Sequence, residues 1–491
     1  MEAETGNQTV ESDLHLVVGI GASAGGLDAL QVFFSHCPPD LGAAFVVVQH
    51  LSPDFKSMMD HLLSRCTDMP VSVAEDGETV LSNHVYLIPA RKSMIIAEGT
   101  LLLTDAAPHV ALSLPIDTFF RSLAEDQQNR AVGIVLSGTG SDGSRGIAGI
   151  KEVGGLVLVQ DPAEAKFDGM PKAALASGYV DHSFPVGEVP RYLESYKKNY
   201  SKLASDFEIR MENPQEAESI LEEVCNTVQK HVHIDLKDYK RSTIGRRIDK
   251  RASLHQLDSW ADYLEFLRNN SQEQSALGKE ILIGVTSFFR DEEMFETLRK
   301  VMIPAVLKHS TSSKEIRIWC AGCSTGEEAY SIAITLVEVM ADLDISRNFK
   351  IFATDIDASA VHEASLGQFS ARIADEMTPT ILGTYFTEKD GGYEIDKRIR
   401  QKVVFAVHNV ISDPPFSNMD LVFCRNLLIY LDSEPQKKVQ LYLNFALNKD
   451  GYLTLGPSES LVAELTDSYT AVDRRLKQYI KIKNEELQNN E

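Results

Sequence analysis

At 491 residues the chain exceeds what one hydrophobic core organises, so two or three domains are expected. Its formal charge of −23 excludes a general nucleic-acid binder, and no apolar run approaches the roughly 18 residues of a spanning helix. The acidic opening Met1-Glu2-Ala3-Glu4 is no signal peptide, and six scattered cysteines form no disulfide framework, so a cytoplasmic protein without direct membrane insertion is expected.

Residues 1–14 are polar and read as a disordered tail. From Leu16 onward, apolar runs at Leu16–Ile20, Phe45–Gln49, Val85–Ile88, Val132–Ser137 and Leu156–Gln160 alternate with helical patterns, the signature of βαβ units over residues 15–195. A charged, helix-prone linker follows at 196–217, then an all-helical domain at 218–308. Strand signals return at Ile316–Trp319, Lys350–Thr354, Val403–Val407 and Leu421–Cys424, giving a second α/β domain over 309–485. The expected fold is therefore α/β: two doubly wound, mostly parallel-sheet domains with a small all-helical domain between them. Leu476–Glu491 reads as a terminal helix.

The first strand runs into Gly21-Ala22-Ser23-Ala24-Gly25-Gly26, which fits the G-x-S-x-G elbow that lifts a serine onto a tight strand-to-helix turn. Gly19-x-Gly21-x-x-Ala24 also fits a dinucleotide fingerprint, but that reading requires an acidic residue after the second strand. His50 stands there instead, suited to a general base. A later strand ends in Ser137-Gly138-Thr139-Gly140-Ser141-Asp142-Gly143, presenting a carboxylate. Ser23, His50 and Asp142 are thus candidates for nucleophile, base and imidazole orienter.

These motifs, in this order over about residues 14–195, resemble the catalytic domain of the chemotaxis receptor methylesterases (CheB type). The resemblance implies hydrolysis of methyl esters on receptor glutamates, with glutamine deamidation as a related activity. It also implies that the amides of Ala24 and Thr139 face the oxyanion and that Phe167–Pro171 line the cleft. The family usually carries an amino-terminal receiver domain, which 14 residues cannot hold.

In the second α/β domain, Ile316–Trp319 leads into Cys320-Ala321-Gly322-Cys323-Ser324-Thr325-Gly326-Glu327-Glu328, and the next strand ends in Asp355-Ile356-Asp357. A glycine-containing first turn and a carboxylate after the second strand are what a doubly wound fold uses for a nucleotide-like ligand. Cys320 and Cys323 form a lone CxxC with no further cysteine or histidine cluster to complete a zinc site, so no metal is expected. Asp413-Pro414-Pro415-Phe416 is similar to a DNA-base methyltransferase tetrapeptide, but it precedes a strand rather than leaving one.

Residues 216–485 resemble the chemoreceptor glutamate methyltransferases (CheR type) through Thr286-Ser287-Phe288-Phe289-Arg290, Ser324–Glu328, Asp355–Asp357, Asn409 and Cys424-Arg425-Asn426-Leu427-Leu428-Ile429-Tyr430. The resemblance implies S-adenosyl-L-methionine as cofactor, contacted by Thr286, Arg290, Glu328, Asp355, Asn409, Val410, Arg425 and Asn426. Arg290 and Tyr430 would lie near the transferred methyl group. Gly284 departs from the family, some of whose members place a donor-contacting asparagine there. Short strands near residues 380–404 would form a small β-subdomain that in some members docks a receptor tail.

The implied partners are the cytoplasmic helical domains of chemoreceptors, or similar signalling proteins bearing glutamates. A basic stretch, Lys237, Lys240, Arg241, Arg246, Arg247, Lys250 and Arg251, is expected to hold such acidic helices electrostatically. The rival is a non-catalytic scaffold with one or both sites inactive. Retention of all three triad candidates and most of the donor pocket argues against it.

Overall fold

The computed structural model describes residues 15–49, 58–105, 114–212, 214–232, 235–282, 284–309 and 315–482. The tail read over residues 1–14 and the candidate base His50 lie outside the described residues. Two compact units form, residues 1–231 with 245–283, and residues 232–244 with 284–491.

The first unit is built on a seven-stranded sheet. Its spatial order is His182–Phe184, Leu156–Gln160, Ala131–Val135, Leu16–Ala22, Ala43–Gln49, Val85–Leu87 and Val71–Val73, and every pairing is parallel. The central strands are continuous apolar runs because helices cover both faces, as parallel sheets require. Leu16–Ala22 pairs with Ala43–Gln49 on one side and Ala131–Val135 on the other, so the strand order reverses there. In an open α/β sheet, the crevice beyond the strand ends at this reversal is where ligands bind.

The stretch read as a linker proves to be structural over its first part. A helix spans Val189–Glu212, and Val189, Leu193, Tyr196 and Tyr200 are buried in the sheet's core. Their spacing of four, three and four residues marks one helix face, with tyrosine rings serving as its apolar members. Tyr196 and Tyr200 stack 5.6 Å apart.

Helices Trp260–Arg268 and Ser271–Leu282 belong to this same unit, as does most of helix Arg241–Leu254. That grouping corrects the basic-stretch expectation. Arg247 and Lys250 are buried: the Lys250 ammonium reaches Asp181 and Glu280, each at 3.0 Å, and donates to the Gly155 carbonyl at 2.7 Å. Arg247 donates to the carbonyls of Lys151 and Glu152 and pairs with Glu280, while Arg251 pairs with Glu273. Lys240 donates to the Ile429 carbonyl. Residues 247, 250 and 251 share one helix face, and that face meets internal carboxylates rather than solvent. Of the stretch, Lys237 and Arg246 are exposed.

The second unit holds another seven-stranded sheet, in the order Val403–Val407, Phe349–Asp355, Ile316–Ala321, Met419–Cys424, Leu447–Leu455, Gln478–Lys481 and Tyr469–Asp473. The first five strands run parallel, and the last two complete the edge antiparallel. Gln478–Lys481 is therefore a strand, contrary to the terminal helix expected from Leu476. Its backbone pairs with Leu453 and neighbouring residues, a long-range partner that local helix propensity does not reveal. The small β-subdomain begins earlier than expected, pairing Gln368–Ser370, Gly392–Ile395 and Phe386–Lys389, while Val403–Val407 is the edge of the main sheet. Here too the strand order reverses at the first strand, Ile316–Ala321.

Candidate active sites

Ser23 follows the central strand of the first sheet, and the chain turns at Gly25, whose φ of 72° suits glycine. The Ser23 amide donates to the Ser137 carbonyl at 3.0 Å, tying the elbow to the loop that leads to Asp142. Gly138 leaves room for this approach: a Cβ there would lie 2.9 Å from the Ser23 Cβ and 2.1 Å from the Met170 Sδ. The Gln49 side chain donates to the Ser23 carbonyl at 3.3 Å, so the strand that precedes His50 ends beside the serine. The Ser137 hydroxyl donates to the Ala24 carbonyl and accepts from the Phe167 amide, which brings the exposed Phe167 ring to the rim of the elbow.

Asp142 is 3% exposed, and its carboxylate accepts the backbone amides of Ile116 at 3.0 Å, Asp117 at 2.9 Å and Gly143 at 2.9 Å. Pro115 opens the helix Pro115–Gln127, so Asp142 accepts the amides of that helix's first turn from a distant loop. Such fixed donors hold a carboxylate in one orientation. The structure thus gathers the Ser23 elbow, the end of the His50 strand and the Ser137–Gly143 loop at one crevice. Asp117 was missed in the sequence, where Pro115-Ile116-Asp117 reads as an ordinary helix start.

In the second unit, Gly322, Ser324 and Gly326 all have positive φ, giving a tight turn between the first strand and helix Glu327–Asp342. Asp355 faces this turn: one carboxylate oxygen accepts the Ser324 amide at 2.8 Å and the other the Asp357 amide at 3.0 Å. Burial raises its pKa against the pull of those amides. Each oxygen keeps lone-pair capacity for a diol, so the pinned carboxylate fits the ribose of a nucleoside. Asn409 leaves the adjacent strand, its side-chain oxygen accepting the Ile411 amide at 2.9 Å, with Val410 half-buried beside it.

Arg425 and Glu328 are turned toward each other. The guanidinium reaches Glu328 at 2.5 Å, contacts Asp291 and donates to the Arg290 carbonyl at 3.3 Å. It therefore braces the Phe288–Asp291 turn, in which Phe289 and Asp291 both hold positive φ. Arg290 in turn donates to the Val285 carbonyl at 3.0 Å, beside the half-buried Thr286. Cys320 donates to Glu328 at 3.3 Å, and burial pushes the thiols of Cys320 and Cys323 well above their usual range. Thiols so placed stay protonated and pack as small apolar groups.

Asn426 has a φ of 55°, and one buried carboxylate stabilises the loop it opens: Glu459 accepts the amides of Asn426, Leu427, Leu428 and Gly456. Glu459 is not legible in the sequence, because three of its four amide partners lie about thirty residues upstream. Tyr430 ends this loop, and its carbonyl accepts the Lys240 amide at 2.9 Å. Among the described residues, no helix is long and apolar enough to cross a membrane.

A serine elbow at the reversal of one parallel sheet and a nucleoside-type turn at the reversal of another fit a hydrolase domain followed by a methyltransferase domain. Comparison with known proteins agrees: residues 18–193 match the CheB methylesterase family, residues 220–282 the all-alpha domain of CheR methyltransferase, and residues 284–477 its SAM binding domain. The chain is 36% identical to an uncharacterized 104.1 kDa protein of Rhodobacter capsulatus over 85% of its own length, but spans 46% of that relative. It is 30% identical to a chemotaxis protein methyltransferase of Listeria monocytogenes, over 48% of this chain and 87% of that one. It is also 36% identical to a protein-glutamate methylesterase/protein-glutamine glutaminase of Anaeromyxobacter dehalogenans, over 36% of this chain and 52% of that one. The chain belongs to the chemotaxis methyltransferase family, with a CheB methylesterase domain ahead of the methyltransferase.

Proposed function

We propose that this chain removes and adds methyl esters on the glutamates of a chemoreceptor or similar signalling helix, and that glutamine deamidation is a side activity of the first site. The observation that carries the reading is the placement of both candidate sites at the reversal point of a parallel sheet, each with its own chemistry. In the first, Ser23 attacks the ester carbonyl, His50 takes the hydroxyl proton and returns it to methanol, and Asp142 orients the imidazole. Fixed amides at the elbow stabilise the oxyanion, with Ala24 and Thr139 as the donors.

In the second site, S-adenosylmethionine when bound supplies an electrophilic methyl group. Asp355 holds its ribose, and the Ser324 turn and Asn409–Val410 shape the crevice. Thr286 and Asn426 complete the contacts, while Glu328 and Arg425 fix the turn that carries Arg290. The acceptor glutamate is already a carboxylate at neutral pH, so the protein needs to align it rather than deprotonate it. Arg290 supplies that alignment by charge-assisted hydrogen bonds, with Tyr430 beside the methyl group.

Calorimetry with S-adenosylhomocysteine tests the donor pocket without any receptor. Asp355→Ala leaves the ribose hydroxyls, and the amides of Ser324 and Asp357, without their acceptor, at a cost of about 1–3 kcal/mol. Binding weakens about five- to hundredfold. Arg290→Ala is expected to lower turnover far more than product affinity. A wild-type chain that binds neither donor nor product at about millimolar concentration leaves the scaffold reading in its place.

A further inference from the structure

Asp117 and Asp142 exchange backbone amides in a way that the catalytic roles above do not use. Asp142 accepts the amides of Ile116 and Asp117 at the start of helix Pro115–Gln127. In return, Asp117 accepts the amides of Arg145 at 2.9 Å and Gly146 at 2.7 Å, where helix Gly146–Glu152 begins just after the Asp142 loop. Each aspartate therefore caps the other's helix. The loop is also pressed hard against this helix start: a Cβ at Gly146 would lie 2.5 Å from the Phe120 Cβ and 2.9 Å from the Asp117 carbonyl. One at Gly143 would meet Ile116 at 3.0 Å. Both aspartates are 3% exposed, yet the second carboxylate oxygen of Asp117 is buried with no hydrogen-bond partner among the described residues. A helix-capping role needs only one oxygen, and an aspartate left half unsatisfied in the interior costs more than an asparagine or serine cap would.

We propose that Asp117 is a positioning residue of the esterase, which fixes the Asp142 loop through the reciprocal cap and places a second carboxyl group directly behind the triad aspartate. The proposal rests on the assignment of Ser23, His50 and Asp142 to hydrolysis. Burial and the neighbouring Asp142 push the Asp117 carboxyl up to about 6, against the pull of the Gly146 and Arg145 amides and of the Arg145 charge. Among the described residues, Asp142 and Arg145 are the charged groups that act on it. As pH rises through that value, a second negative charge forms behind Asp142, and a histidine base oriented by Asp142 is favoured in its protonated, transition-state form. Two groups then titrate together on the acid side of the rate profile, since an ordinary histidine titrates near 6.5.

The test measures methanol release from a methylated receptor fragment by the full chain across about pH 5 to 8. It compares wild type with Asp117→Ala and Asp117→Asn. Asp117→Ala frees the Arg145 and Gly146 amides and lets the Asp142 loop shift. It is expected to lose about ten- to hundredfold in kcat with KM nearly constant. Asp117→Asn keeps one oxygen for both amides and restores most of that loss. Its acid limb, however, follows a single ionisation with a midpoint at lower pH, whereas the wild-type limb is steeper. Wild-type turnover by Asp117→Ala overturns the proposal, and so does an Asp117→Asn limb that superimposes on the wild-type curve. Should the alanine variant fail to fold, the asparagine limb decides alone. Ser23→Ala runs alongside as a control: normal hydrolysis by that variant rejects the esterase assignment itself, whatever the Asp117 variants do.

Discussion

Ser23→Ala is expected to lower methanol release from a methylated receptor fragment by about 10⁴- to 10⁶-fold, with transfer of methyl groups from the donor intact. The loss is that large because the hydroxyl is the only atom that forms the covalent intermediate, and the amides that remain supply only oxyanion stabilisation. The fold should tolerate the change. Ser23 is held through its backbone, by the Ser137 carbonyl on one side and the Gln49 side chain on the other. Asp142→Asn is a less clean probe than its conservative size suggests. Both oxygens of Asp142 accept backbone amides, so an asparagine NH2 meets an N–H whichever way it turns. That variant should lose thermal stability as well as turnover, and the comparison with Ser23→Ala separates the two losses.

Glu280→Ala is expected to destabilise the first unit by about 3–5 kcal/mol, the usual cost of removing one partner from a buried ionic cluster. Glu280 contacts Lys151 at 2.5 Å, Lys250 at 3.0 Å and Arg247 at 3.4 Å, all within one buried cluster that also contains Asp181. Without it, Lys151 and Lys250 are left facing Asp181 and Arg247 the carbonyls of Lys151 and Glu152, and Lys250 is 0% exposed. The three cations hold the Glu280 carboxyl well below its ordinary value of 4.5, in spite of burial. A carboxylate depressed in this way contributes stability above its unfolded pKa and loses it as pH falls toward the folded value. Urea unfolding should therefore show the full gap between wild type and Glu280→Ala at neutral pH, and a gap that closes as pH falls below about 4. An equal midpoint at neutral pH would contradict the clustered charges described here.

The same cluster shows where the sequence was ambiguous. Arg247, Lys250 and Arg251 recur at helical spacing, and that spacing is identical for a solvated face, a docking face and a buried ionic face. Only the tertiary partners Asp181, Glu273 and Glu280 decide among them, and Asp181 lies 69 residues from Lys250. The local motifs were legible for the opposite reason. Gly25, Gly322 and Gly326 are dictated by turns made within a few residues, so the Ser23 elbow and the Ser324 turn announce themselves. Asp355 was legible because a strand end and a carboxylate coincide in the chain. Glu459 and Asp117 were not, since each takes amides from loops about thirty residues away. The packed face of helix Val189–Glu212 is hard to see in the sequence because Tyr196 and Tyr200 share it with Val189 and Leu193. Gln478–Lys481 was read as helix although its pairing with Leu453 supplies a strand.

The most direct measurement follows labelled methyl groups through one reaction with the purified chain, labelled S-adenosylmethionine and an acidic helical receptor fragment. Label should enter the fragment as a base-labile ester and then leave as methanol. Ser23→Ala should accumulate ester without release, and Asp355→Ala at limiting donor should slow entry without changing release from fragment methylated beforehand. Label that never enters the fragment, or that enters and leaves at wild-type rates in both variants, would contradict a chain that writes and erases the same mark.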